Sequence, residues 1–206
     1  MKNNTAYWML FSGTISKILI KRYGKVYAKT AMPNIKQHYK ILLQQFPDVG
    51  KHTLTDMVYM GMVFLALWLG TDKRFSTEEL TGICGEILGR LKWLFSIVDL
   101  NRTWTKKKLE RKTNAYMKWL AEKGAAYSNK WEGYIDSKAH DKGICYVFTK
   151  CPLHDFCKEN GYLEALPALC AQDYPMLGMM HGVLKREHTL AEGSTCCDFW
   201  IYGNKE

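Results

Sequence analysis

The stretch WEGYIDSKAHDKGICYVFTKC, Trp131 to Cys151, is where the chain changes period. Before it, apolar residues recur every three or four positions. Within it they alternate, from Trp131 to Asp136 and again from Gly143 to Thr149, as in strands whose successive side chains face opposite ways. The polar residues Ser137 to Lys142 between them predict a turn, and so an antiparallel hairpin. A second pair of alternating runs, Val183 to Leu190 and Cys196 to Tyr202, flanks Ala191-Glu192-Gly193-Ser194 and predicts a second hairpin. Between the two hairpins the sequence predicts two short helices, Pro152 to Asn160 closed by Gly161, and Leu163 to about Ala171.

Upstream the period is helical. Residues 6 to 26 form an amphipathic pattern with Leu10, Phe11, Ile18 and Leu19 between lysines. After Pro33, which a first helical turn tolerates, Ile35, Tyr39, Leu42 and Phe46 mark a second face that Pro47 ends. Thr53 is the expected cap of a third helix, apolar nearly all round and therefore buried. Ser76 with Glu79 reads as a capping box for a fourth, whose apolar stripe runs from Leu80 through Cys84 to Val98. A fifth spans about Thr105 to Lys123, with Gly124 as its cap. The fold class is α+β: a helical N-terminal half followed by a four-stranded antiparallel sheet with a short helical insert between its two hairpins. The expected division is a helical region, 1–126, and a cysteine-rich α+β region, 127–206, that carries the site, the two forming one compact unit.

A chain of 206 residues can bury a core without disulfides or metal. Its net charge of +9 is uneven, because the first fifty residues carry eight Lys or Arg against Asp48 alone. The lysine run on the fifth helix, Lys106 to Lys112, reads as a solvated face, so no nucleic-acid partner is expected. Met57 to Leu69 is too short to span a bilayer, and no membrane partner is expected either. The seven cysteines are an odd number, and no cleavage site follows the N-terminal apolar run. Both features fit a cytoplasmic protein with reduced thiols.

Five of the seven cysteines lie between Cys151 and Phe199, with His154, His181, His188, Asp173 and Asp198 among them. Polar chemistry is expected there. A metal reading would use four of Cys151, Cys157, Cys170, Cys196 and Cys197, with zinc the candidate, but their spacings lack the short C-x2-C knuckle of structural zinc. No metal or other cofactor is therefore expected. A nucleophile reading needs one thiolate beside a positive charge, for which His181, His188, Lys185 and Arg186 are candidates. Cys170 and Asp173 are three apart, the spacing that shares a helix face. Cys197 shares a strand face with Phe199 and Ile201. Cys84, on an apolar stripe, reads as core filler, and His38, His52 and His140 as surface or turn residues.

The order of pieces is similar to one family. The W-x-G-x-x-I strand at Trp131, the run Phe148-Thr149-Lys150-Cys151-Pro152, Cys170-x-x-Asp173, then Arg186-x-x-Thr189-Leu190-Ala191-x-Gly193 and Cys197-Asp198-Phe199 resemble the L-2-amino-thiazoline-4-carboxylic acid hydrolase family. The resemblance implies a hydrolase that opens a cyclic amidine-like ring and gives N-carbamoyl-L-cysteine. It implies a small-molecule substrate, with Cys170, Asp173 and Cys197 as catalytic residues. Arg186, His188, Thr189 and Gly193 would bind substrate, Arg186 by pairing with its carboxylate.

Overall fold

The structure, a computed structural model, describes residues 4–52, 54–127, 129–138 and 140–206. Helix α1 (Ala6–Gln45) bends at Gly24, whose φ of 85° and ψ of 164° interrupt the helical path. The break between the two expected helices therefore falls at the glycine, because only glycine adopts that backbone freely. Pro33 is not in a first turn, as expected, but inside the second arm of α1. Thr53, the expected cap of α2 (Thr55–Gly70), lies outside the described residues. Helix α2 is buried almost throughout, as its composition requires. Its last residue, Gly70, meets the backbone of Ile35: a Cβ there would stand 2.5 Å from the Ile35 Cα. Only a bare α-carbon permits so close a crossing.

The capping box at Ser76 and Glu79 opens α3 (Thr77–Gly89). The stripe predicted to run on to Val98 ends sooner, at Gly89, a residue that disfavours helix. A one-turn helix, α4 (Lys92–Phe95), follows, and Leu94 is exposed. Helix α5 (Thr103–Lys123) buries Tyr116 and Leu120. Gly124 is not its left-handed cap, since its φ is −59° and the chain passes into a short 3₁₀ turn.

Strands β1 (Glu132–Ile135), β2 (Ile144–Lys150), β3 (Gly182–Lys185) and β4 (Cys197–Gly203) form an antiparallel sheet in the order β1-β2-β4-β3. The register sets Phe148 opposite Cys197 and Tyr146 opposite Phe199. These four side chains share the face turned to the helices. The insert holds α6 (Pro152–Glu159), α7 (Leu166–Cys170) and α8 (Asp173–Met179). The sequence reading ended the helical insert at about Ala171 and missed α8. Pro175 occupies the first turn, where its absent N–H has no intrahelical partner to lose.

The second hairpin also differs from expectation. Strand β3 ends at Lys185, and a loop from Arg186 to Cys196 replaces both the predicted strand end and the tight turn. Asp198 holds this loop, its carboxylate accepting from the backbone N–H groups of Glu187 and His188. A continuous set of buried side chains runs from Phe11 of α1 to Cys197 of β4. Among the described residues no helix is long and apolar enough to cross a membrane.

Candidate functional site

A cavity of about 210 Å³ lies between α2, the inner face of the sheet, and the α7–α8 corner. Cys170 ends α7, Asp173 begins α8, Arg186 follows β3 and Cys197 begins β4, and all four line it. Four chain ends meet here because β3 and β4 return antiparallel past the helical insert. Cys151, between β2 and α6, is a third thiol in the wall.

Arg186 organises the polar side. Its Nη2 donates to Asp173 Oδ2 at 2.7 Å, its Nε to the Asp198 carbonyl at 3.3 Å, and its Nη1 to the Cys170 carbonyl at 3.5 Å. The guanidinium also lies 4.0 Å over the Phe199 ring. With a side chain only 2% exposed, this cation depends on those partners, since an unpaired buried charge costs several kcal/mol, on the order of 3–5. Burial acts to lower the Arg186 pKa and Asp173 more than offsets it, so the guanidinium stays cationic. Burial pushes the Asp173 carboxyl above its usual range, against the pull of Arg186. Asp173 Oδ1 has no partner among the described residues, and the side chain remains 33% accessible.

The three thiols are raised by burial. Burial holds Cys170 well above the ordinary thiol range, and the neighbouring Cys151, Asp173 and Cys197 push it further. Burial raises Cys197 too, although the Leu190 N–H reaches its sulfur at 3.2 Å. Cys151 is pushed up to about 12. Arg186, bound to Asp173, acts to lower both Cys170 and Cys197, but burial outweighs it.

The remaining expected site residues lie elsewhere. His188 is exposed and meets Asp198 through its backbone. The Thr189 hydroxyl accepts from the Glu192 N–H and donates to the Glu192 carboxylate, closing the 3₁₀ turn Leu190–Glu192. Gly193, at φ 86°, ends that turn. None of the three lines the cavity. Arg186 does, but toward an internal carboxylate instead of an open pocket. His52 is no surface residue: it packs among Tyr116, Trp119 and Trp131, with Nε2 3.0 Å from the Val49 carbonyl oxygen. Among the described residues, no three His, Cys, Asp or Glu side chains converge so as to hold a metal ion.

The sequence reading named Cys151 only as a candidate metal ligand and missed Tyr146, Gln172 and the wall supplied by α2 through Met57, Met60 and Phe64. The strand alternation already placed Tyr146 with Phe148. For α2 no signal existed, since a helix apolar all round does not reveal which side faces a cavity. Gln172 donates to the Thr81 and Ala168 carbonyls while its own amide oxygen is buried without a hydrogen-bond partner among the described residues.

No curated protein matches the chain. The family described as L-2-amino-thiazoline-4-carboxylic acid hydrolase matches residues 56–201, from the first turn of α2 into β4, a span that holds every cavity residue except Leu54. With most of its length and the whole polar side of the cavity inside that match, the chain belongs to the L-2-amino-thiazoline-4-carboxylic acid hydrolase family.

Proposed function

We propose that the protein is a hydrolase that opens a small cyclic amidine-like ring of the 2-amino-thiazoline type. The observation that carries this reading is the Asp173 carboxylate, clamped by Arg186 through one oxygen and left with the other free in a cavity of small-molecule size. A carboxylate raised by burial is a stronger base than one in water, and Arg186 fixes its orientation.

Asp173 Oδ1 takes a proton from water as the water oxygen bonds to the carbon between nitrogen and sulfur. The tetrahedral centre then breaks its C–S bond. The sulfur leaves as thiolate and takes the proton back from Asp173, while the second proton of water moves to the ring nitrogen. One water is consumed, and the product is a carbamoyl amine with a free thiol. Cys151, Cys170 and Cys197 stay protonated and give the sulfur a polarisable wall. Free thiols in the native protein fit a reducing compartment.

Asp173→Asn keeps an oxygen for Arg186 but removes the base. Ring opening should fall about 10²- to 10⁴-fold while the ring compound still binds. Cys170→Ala should keep at least about a tenth of the activity. Unchanged turnover in Asp173→Asn would remove the base; loss in Cys170→Ala with a covalent adduct on the native protein would replace it with a thiol.

A further inference from the structure

Resting on the ring-opening reading, we infer that Tyr146 is a further catalytic residue, its hydroxyl carrying the second proton of water to the ring nitrogen. Asp173 takes the first proton and returns it to sulfur, so the second needs another group that both gives and accepts a proton. Tyr146 supplies the only hydroxyl in the cavity wall among the described residues. Arg186 and Trp131, in the same wall, donate but do not accept, and the thiols are weak at both. The Gln172 amide nitrogen is committed to the Thr81 and Ala168 carbonyls.

The strand register brings the phenol to the charged pair. Tyr146 of β2 stands opposite Phe199 of β4 with the two rings stacked 4.5 Å apart, and the Arg186 guanidinium lies 4.0 Å from the centre of the same Phe199 ring. The hydroxyl is within electrostatic reach of Asp173, Arg186 and Cys197. It makes no hydrogen bond among the described residues, yet it is not sealed off as the unpartnered Tyr116 hydroxyl is. That leaves it open to a ligand. Burial and the Asp173 carboxylate hold the phenol above its ordinary range, so it meets the substrate protonated.

As the water oxygen bonds to the ring carbon, the C=N electron pair moves onto the ring nitrogen, which takes the phenolic proton. The phenolate then takes the proton remaining on the new C–O group as the C–S bond breaks and the carbonyl forms. Asp173 is protonated by then and no longer opposes a phenolate, while Arg186 still favours one. Tyr146 ends as it began.

The test uses L-2-amino-thiazoline-4-carboxylate, with chromatography of the opened product for turnover. Tyr146→Phe keeps the stacked ring and should lower kcat about 10²-fold or more, with the unfolding midpoint unchanged. KM should stay within about twofold, and calorimetry in slow Asp173→Asn, with and without Tyr146→Phe, should give the same affinity. Turnover in Tyr146→Phe within about threefold of native overturns the inference and leaves the Asp173 reading intact. A fall in kcat matched by an equal loss of affinity in the double variant assigns the hydroxyl to binding and overturns the relay as well. A native protein that leaves the ring closed overturns the hydrolase reading, and the relay with it.

Discussion

The helical core and the cavity wall bury their side chains in different ways. Where α1, α2 and α3 meet, burial is apolar, and burial is what raises the Cys84 thiol there. At the α7–α8 corner an arginine is buried against a carboxylate that is 33% exposed, and that carboxylate makes the buried cation tolerable. The first arrangement is insensitive to charge and sensitive to shape. The second is the reverse, so the two respond to different substitutions.

The largest effect is expected from the cavity. Arg186→Ala leaves Asp173 without its clamp and removes a buried cation, costing about 3 kcal/mol of stability and abolishing ring opening. Denaturant unfolding and a turnover assay check it. Normal stability would mean that the pair is solvated and that the contrast with the core is false.

In the core the corresponding change is one of shape. Gly70→Ala drives a methyl group into the Ile35 backbone and should cost on the order of 3 kcal/mol. The affinity of the folded fraction for the ring compound should stay within about twofold, since Gly70 does not line the cavity. A larger loss of affinity would join the two regions.

The smallest effect asks by proton linkage whether a cavity thiol behaves as a core thiol does. Burial pushes Cys157 up to about 12, and a thiol in the unfolded chain titrates near about 8.5. Above that pH the unfolded chain loses a proton that the folded state keeps, so stability falls with rising pH. The slope is about 1.4 kcal/mol per pH unit for each such thiol, up to about pH 12. Unfolding midpoints between pH 8 and 10 should decline, and Cys157→Ala should flatten the decline. Cys170→Ala should flatten it likewise, because burial raises that thiol too. An opposite change in Cys170→Ala would reveal an activated thiolate and undo the general-base assignment.

Local rules were legible at particular residues. The box at Ser76 and Glu79 forms, and Gly161 closes α6 with a φ of 72°. Alternation put Cys197 and Phe199 on one face, as the register now has them. Alternation, however, does not record where pairing stops. Strand β3 ends at Lys185 because the Asp198 carboxylate takes the N–H groups of Glu187 and His188, a competition between residues ten and more apart in sequence.

The sequence by itself determined the class of fold, the family and the segment that bears Cys170, Asp173, Arg186 and Cys197, because periodicity, caps and motif order are written in neighbouring residues. Only the tertiary structure decided how those side chains are paired and exposed. It turned Arg186 from a free cation into the partner of Asp173, raised the thiols by burial, and brought Met57 and Phe64 of a featureless apolar helix to the cavity. The physical reason is that charge state and exposure depend on which groups lie within a few ångströms, and in this chain those groups come from elements more than a hundred residues apart.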